Sequence, residues 1–133
     1  VMNYPTILTA NNRRPVFGIE MYRLLASAGI VLNIHGEATA KYCGNMRMFE
    51  ATGAGACLLT ENMVNIRDVF EPGQEIMVYE NPDDCIKKAR WLLENETARK
   101  TIAEAGQRRT HKDHTVEKRC SQMIEIIEHE FRC

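Results

Sequence analysis

The chain predicts an α/β fold, a three-layer arrangement with a parallel sheet between helices, and three observations carry the prediction. Segments of helical and strand character alternate along the chain, and alternation implies parallel strands joined by helical crossovers. The apolar run Ile30-Val31-Leu32-Asn33-Ile34-His35-Gly36 has the length and composition of a buried strand. The stretch from Asn45 to Thr60 then reads as a short helix, a turn marked by Gly53 and Gly55, and a second buried strand.

Residues 1–16 contain turn-formers and bases, Asn11-Asn12-Arg13-Arg14-Pro15, with only Tyr4 to Leu8 able to extend, and are expected to be a linker or arm. The remainder, 17–133, is expected to be one domain. From Phe17 to Ala28, Tyr22, Leu25 and Ala28 recur at helical spacing, flanked by Met21 and Leu24, and Gly29 supplies a stop. The strand at 30–35 follows, and the loop from Gly36 to Gly44 leads from its carboxyl end into a helix amino end. In open α/β sheets ligands sit there.

Gly53 and Gly55 allow a tight turn and close helix–sheet packing before the strand Ala56 to Thr60. Asn65 to Phe70 suits one short helical turn, Glu71-Pro72-Gly73 a turn, and Ile76 to Tyr79 a third strand. Asn81-Pro82-Asp83-Asp84 is a strong helix start: Asn caps free amides, Pro suits the first helical position, and the acids favour the positive end of the dipole. That helix should reach about Asn95 and bury Ile86, Ala89, Leu92 and Leu93. A further helix is expected from Thr97 to Ala105, stopped by a left-handed cap at Gly106. Thr115 can cap a last helix whose Val116, Cys120, Met123, Ile124, Ile127 and Phe131 form one apolar stripe.

Three strands are fewer than the five or six of a typical sheet. The expectation is the carboxyl-terminal half of a larger doubly wound domain, its open edge completed by further sequence or by a second copy of the chain.

The 133 residues suffice for a single core. With 17 basic and 18 acidic residues the net charge is −1, so no global field draws the chain to nucleic acid or anionic membrane, and any phosphate must be held locally. Basic and acidic residues alternate over 87–119 without interleaved aromatics, as on solvated helix faces. No apolar run approaches the roughly 18 residues of a membrane span. Five cysteines, at 43, 57, 85, 120 and 133, include no C-x-x-C pair, and Cys57, Cys85 and Cys120 fall on apolar faces. That pattern fits reduced thiols and a cytoplasmic location.

Several residues are candidates for chemistry. Arg47 and Glu50 lie three positions apart on one helix face, as a surface ion pair would. The sharper reading has Glu50 accepting the hydroxyls of a ribose and Arg47 facing a phosphate. Gly44, Asn45 and Met46 open the helix, where free amides suit a diphosphate. His35 is placed to polarise a sugar hydroxyl or phosphate oxygen, or to be a hydrogen-bonded structural histidine. Glu61 and Asn62 follow the second strand back to the same edge, placed either to touch a bound ligand or to form a plain connection. His111 and His114 have an H-x-x-H spacing but no third ligand nearby in sequence, so no metal is expected.

Asn45-x-Arg47-x-Phe49-Glu50-Ala51-x-Gly53-x-Gly55 followed by Leu58-Leu59-Thr60 resembles the signature of bacterial family-1-type glycosyltransferases of GT-B fold, of the spore maturation protein B kind. Phe17-Gly18-x-Glu20-Met21-Tyr22, Ile30 to His35, Phe70 to Glu75, and Ala103-x-Ala105-Gly106 leading to His114-Thr115 agree with it, so the resemblance spans about residues 15–128. It implies a carboxyl-terminal Rossmann-like lobe that binds a nucleotide-diphosphate sugar as substrate, with no tightly bound cofactor. It further implies that Glu50 binds the ribose and that Gly44 to Met46 cradle the diphosphate; Glu61 and Asn62 are the donor-loop candidates. An amino-terminal lobe would supply the acceptor site, and the lobe alone would turn over little; His35 and Arg47 are the catalytic candidates. Many retaining relatives carry a second glutamate about eight positions before the first, where this chain has Tyr42.

The competing reading is a non-catalytic α/β module for interaction or assembly, homodimeric through the open sheet edge. It rests on Tyr42 and the few strands. A phosphate-receiver domain is more distant, since no acidic cluster ends the first strand.

Overall fold

The computed structural model describes residues 14–36 and 41–131; residues 1–13 of the arm expected at 1–16, the middle of the loop at 37–40, and 132–133 lie outside them. Their elements are α1 (Gly18–Ser27), β1 (Ile30–Asn33), α2 (Met46–Gly53), β2 (Cys57–Glu61), α3 (Ile66–Val69), β3 (Met77–Tyr79), α4 (Pro82–Glu94), α5 (Glu96–Asp113) and α6 (Val116–Glu130). The strands form one parallel sheet in the order β1-β2-β3, with Ile30 opposite Cys57 and Leu59 opposite Met77. This is the α/β, Rossmann-like architecture the alternation predicts.

The centre of the sheet is β2, whose Cys57, Leu58, Leu59 and Thr60 are all buried. Strand alternation sends them to opposite faces. Leu58 packs with Leu25 of α1, Met48 and Ala51 of α2, and Ile66, Val69 and Phe70 around α3. Cys57 and Leu59 pack with Leu92 of α4 and Ile102 and Ala103 of α5. Helices therefore cover both faces, and burial pushes the Cys57 thiol up to about 11, which keeps it inert.

The α4 start is built as its residues predict, with Asn81 accepting the Asp84 amide at 3.0 Å and Pro82 opening the helix. Of the four side chains expected to be buried, Leu92 is buried and Ala89 partly so, while Ile86 and Leu93 are exposed. With three strands the sheet reaches one narrow stripe of α4 and leaves its flanks in solvent.

The expected stop at Gly106 does not occur, because α5 continues through it to Asp113. A Cβ on Gly106 would lie 2.3 Å from the Glu75 carbonyl oxygen, so this glycine serves close approach rather than a left-handed cap. One turn on, the Thr110 hydroxyl meets that of Thr52 at 2.7 Å, and Gln107 and His111 both donate to the Gly53 carbonyl at 3.1 Å. The turn between α2 and β2, with Gly55 at φ 88°, is thus clamped by α5.

Thr115 caps α6 through the Lys118 amide, and the apolar stripe forms, but none of it is buried. Cys120, expected on a covered face, is exposed with it. What anchors the start of α6 is His114. Its Nε2–H donates to the Val69 carbonyl at 2.8 Å, which leaves Nδ1 to accept from the Arg119 guanidinium at 2.9 Å. Its ring lies 5.1 Å from those of Phe49 and Phe70, and Arg119 sits over Phe49. Burial, then the guanidinium groups of Arg119 and Arg109, push His114 below the usual imidazole range against the opposing pull of the Val69 carbonyl. Among the described residues no helix is long and apolar enough to cross a membrane.

Two outcomes are expected. Gly106→Ala should lower the unfolding free energy in urea by about 1–3 kcal/mol, since backbone cannot yield to the new methyl group; an unchanged midpoint would mean that α5 is not seated on the Glu75 carbonyl. A histidine with a depressed folded pKa contributes its stability above the unfolded value of about 6.5 and loses it as pH falls through the folded value. The urea midpoint should therefore drop between pH 7.5 and 5.5, and His114→Phe should flatten that drop.

Candidate functional site

The loop leaving β1 enters α2 through a set of asparagines. Asn65 brackets Cys43, accepting its amide at 2.7 Å and donating to its carbonyl at 3.2 Å. Asn45 then caps α2, its side-chain oxygen facing the Met48 amide at 3.4 Å. The other half of that amide donates to Asn33 at 2.9 Å, and Asn33 donates to the Thr60 hydroxyl at 3.0 Å. Asn33 and Thr60 are buried, so the start of α2 is tied to the carboxyl ends of β1 and β2 inside the protein.

Across the first two turns of α2 Arg47 and Glu50 form an ion pair at 3.1 Å, with the Glu50 side chain 16% exposed and that of Arg47 41%. An exposed pair of this kind contributes about 0.2–1 kcal/mol. Glu50 and Met46 line a groove of about 570 Å³, whose other walls include Tyr22, Phe49, His114 and Arg119. Gly44 and Asn45 precede the helix; Asn45 takes the Met48 amide, and the amides of Met46 and Arg47 lack intrahelical acceptors. Carboxylate, guanidinium and free amides thus stand within one and a half helical turns, a combination able to take a polyol and an anion together.

Two of the remaining candidates line a different cavity. Glu61 and Asn62 line a space of about 790 Å³ at the carboxyl ends of the strands, with Ile34, Tyr79, Glu80 and Ile86 among its other walls. Asn62 donates to Glu80, and burial, followed by the Glu61 charge, pushes the Tyr79 phenol up to about 12, so it remains a donor. His35 is buried beside Glu61, whose Oε2 accepts both its backbone N–H at 2.6 Å and its Nδ1 at 3.1 Å. His111 and His114 serve separate carbonyls, of Gly53 and Val69.

Thus Arg47 and Glu50 are brought together, His35 and Glu61 are brought together, and Glu50 and Glu61 line different cavities. Asn33, which links the end of β1 to the cap of α2, is absent from the sequence candidates. Its signal is a lone polar residue at an inward-facing position of an apolar run.

Comparison with known proteins fits this arrangement. A family model described as glycosyl transferase-like matches residues 3–125. No significant match was found among curated proteins or among solved structures. With nearly its whole length matched, and an α/β sheet whose carboxyl edge carries the polar candidates, the chain belongs to the family of glycosyl transferase-like domains.

Proposed function

We propose that this chain is the donor-binding domain of a glycosyltransferase that takes a nucleotide-diphosphate sugar as substrate and passes its sugar to an acceptor hydroxyl. The observation that carries the reading is the Arg47–Glu50 pair at the open amino end of α2 in a glycosyl transferase-like domain. Glu50 takes the ribose hydroxyls, and the amides from Gly44 to Met46 take the diphosphate. As the acceptor oxygen attacks the anomeric carbon, the bond to the leaving phosphate breaks, and Arg47 with those amides stabilises the departing charge. Glu61 and Asn62 face the sugar side. An amino-terminal lobe supplies the acceptor, so this domain alone binds nucleotide weakly and turns over little, and its setting is cytoplasmic.

A second reading, a non-catalytic assembly module, is favoured by one feature: Leu32 on β1, Ile34 just beyond it and the apolar stripe of α6 are exposed. It requires self-association, through the β1 edge, without nucleotide affinity.

Titration of the labelled protein with uridine and guanosine diphosphates distinguishes them. Amide shifts concentrated between Gly44 and Gly55 are expected, and Glu50→Gln should weaken binding about tenfold, the equivalent of one charge-assisted hydrogen bond. A dimer in sedimentation, with no amide perturbation at either nucleotide, would instead establish the assembly reading.

A further inference from the structure

The junction at His114 is built for one protonation state. With Nε2–H donated to the Val69 carbonyl at 2.8 Å, the neutral ring keeps a lone pair at Nδ1, and the Arg119 guanidinium donates to it at 2.9 Å. A proton taken up at Nδ1 removes that acceptor and sets an imidazolium against a guanidinium. The bond to Val69 survives, because Nε2–H is present in both forms.

The last helix depends on this junction. No residue of α6 is buried, and among the described residues no other element packs broadly against it. Its first turns meet the body through Val116 and through Arg119, whose guanidinium also lies 5.8 Å from the centre of the Phe49 ring. Both residues line the 570 Å³ groove that Glu50 lines, so the start of α6 forms one wall of the proposed ribose site.

Of the charged groups that face the ring, Arg119 of α6 and Arg109 of α5 disfavour a second proton, and Asp113 of α5 favours one. Arg109 and Asp113 pair with each other at 3.2 Å, and Glu50 on α2 pairs with Arg47, so these two helices present compensated charge. The end of α3 presents the Phe70 ring and the Val69 carbonyl. Arg119 bonds neutral groups, His114 and Gln122, and keeps its charge toward the ring.

We propose that His114 and Arg119 form a pH-operated latch: the neutral imidazole holds α6 against the body, and its protonation frees α6 and opens that wall of the Glu50 groove. The latch stands on this geometry, while its consequence for a ligand rests on the donor reading above. Because the folded surroundings disfavour the second proton, the latch is closed near neutral pH and opens as pH falls through a folded value below the usual imidazole range.

Backbone nitrogen relaxation of the labelled chain, followed from pH 7.5 to 5.0 beside the ring signals of His114, reads the latch directly. Order from Val116 to Glu130 should fall in step with the ring titration, while β2 and α5 keep theirs. His114→Gln, whose side chain takes up no proton in this range, should abolish the step whether its α6 is fixed or loose throughout. UDP-glucose, whose phosphates are both esterified and keep constant charge here, should bind about twofold to fivefold more weakly at pH 5.0, and equally at both pH values in His114→Gln. Constant order in α6 while His114 titrates, a step that persists in His114→Gln, or a ring that stays neutral until β2 itself unfolds would each overturn the latch. A relaxation step with unchanged UDP-glucose affinity would overturn the opening of the groove. A relaxation step with no amide response to UDP-glucose at either pH would support the latch and remove the donor reading.

Discussion

The hydrogen-bonded chain from Asn45 through Asn33 to Thr60 is the constraint on which the site depends. Its Asn33 and Thr60 are buried, it joins the first turn of α2 to two adjacent strands, and each member is satisfied by the next. Breaking one link would strand a polar group in the interior, at about 1–3 kcal/mol. That asymmetry gives the helix one angle of entry rather than many. Arg47 and Glu50 follow within the next turn, so their distance from the sheet edge is set by side chains that never touch a ligand.

The sheet can carry this burden because β2 is covered on both faces. Its partners differ in kind, however. The face against α1, α2 and α3 is closed by large side chains, Met48 and Phe70 among them. The other face relies on α4 and α5, and α5 goes further, crossing to α2 with Gly106 seated on the Glu75 carbonyl and Thr110 on Thr52. A single helix thereby holds the turn at Gly53 and Gly55 from outside. The stripe of α6 shares in none of this burial, and its first turn is held at the histidine that caps α5.

Sequence pattern revealed those features whose cause is local. The caps at Asn81 and Thr115, the glycine turn before β2 and the three strands all follow from neighbours in the chain. Gly106 did not, because a glycine in helical sequence has the same local character whether it ends the helix or admits a carbonyl from 31 positions away. The exposure of Ile86, Leu93 and the α6 stripe was equally hidden. Periodicity shows which face is apolar, whereas the width of the sheet decides how much of that face finds cover. For the site, the Arg47–Glu50 pair was readable from spacing, and the contact of His35 with Glu61 was not, since 26 residues separate them and strand register alone brings them together.

Two separate cavities divide the ligand between them in this account, with ribose at Glu50 and sugar toward Glu61 and Asn62. Intermolecular NOEs from the ribose protons of bound UDP test that division most directly. The account predicts contacts to Met46, Phe49 and Glu50; contacts confined to Ile34, Tyr79 and Ile86 would contradict it.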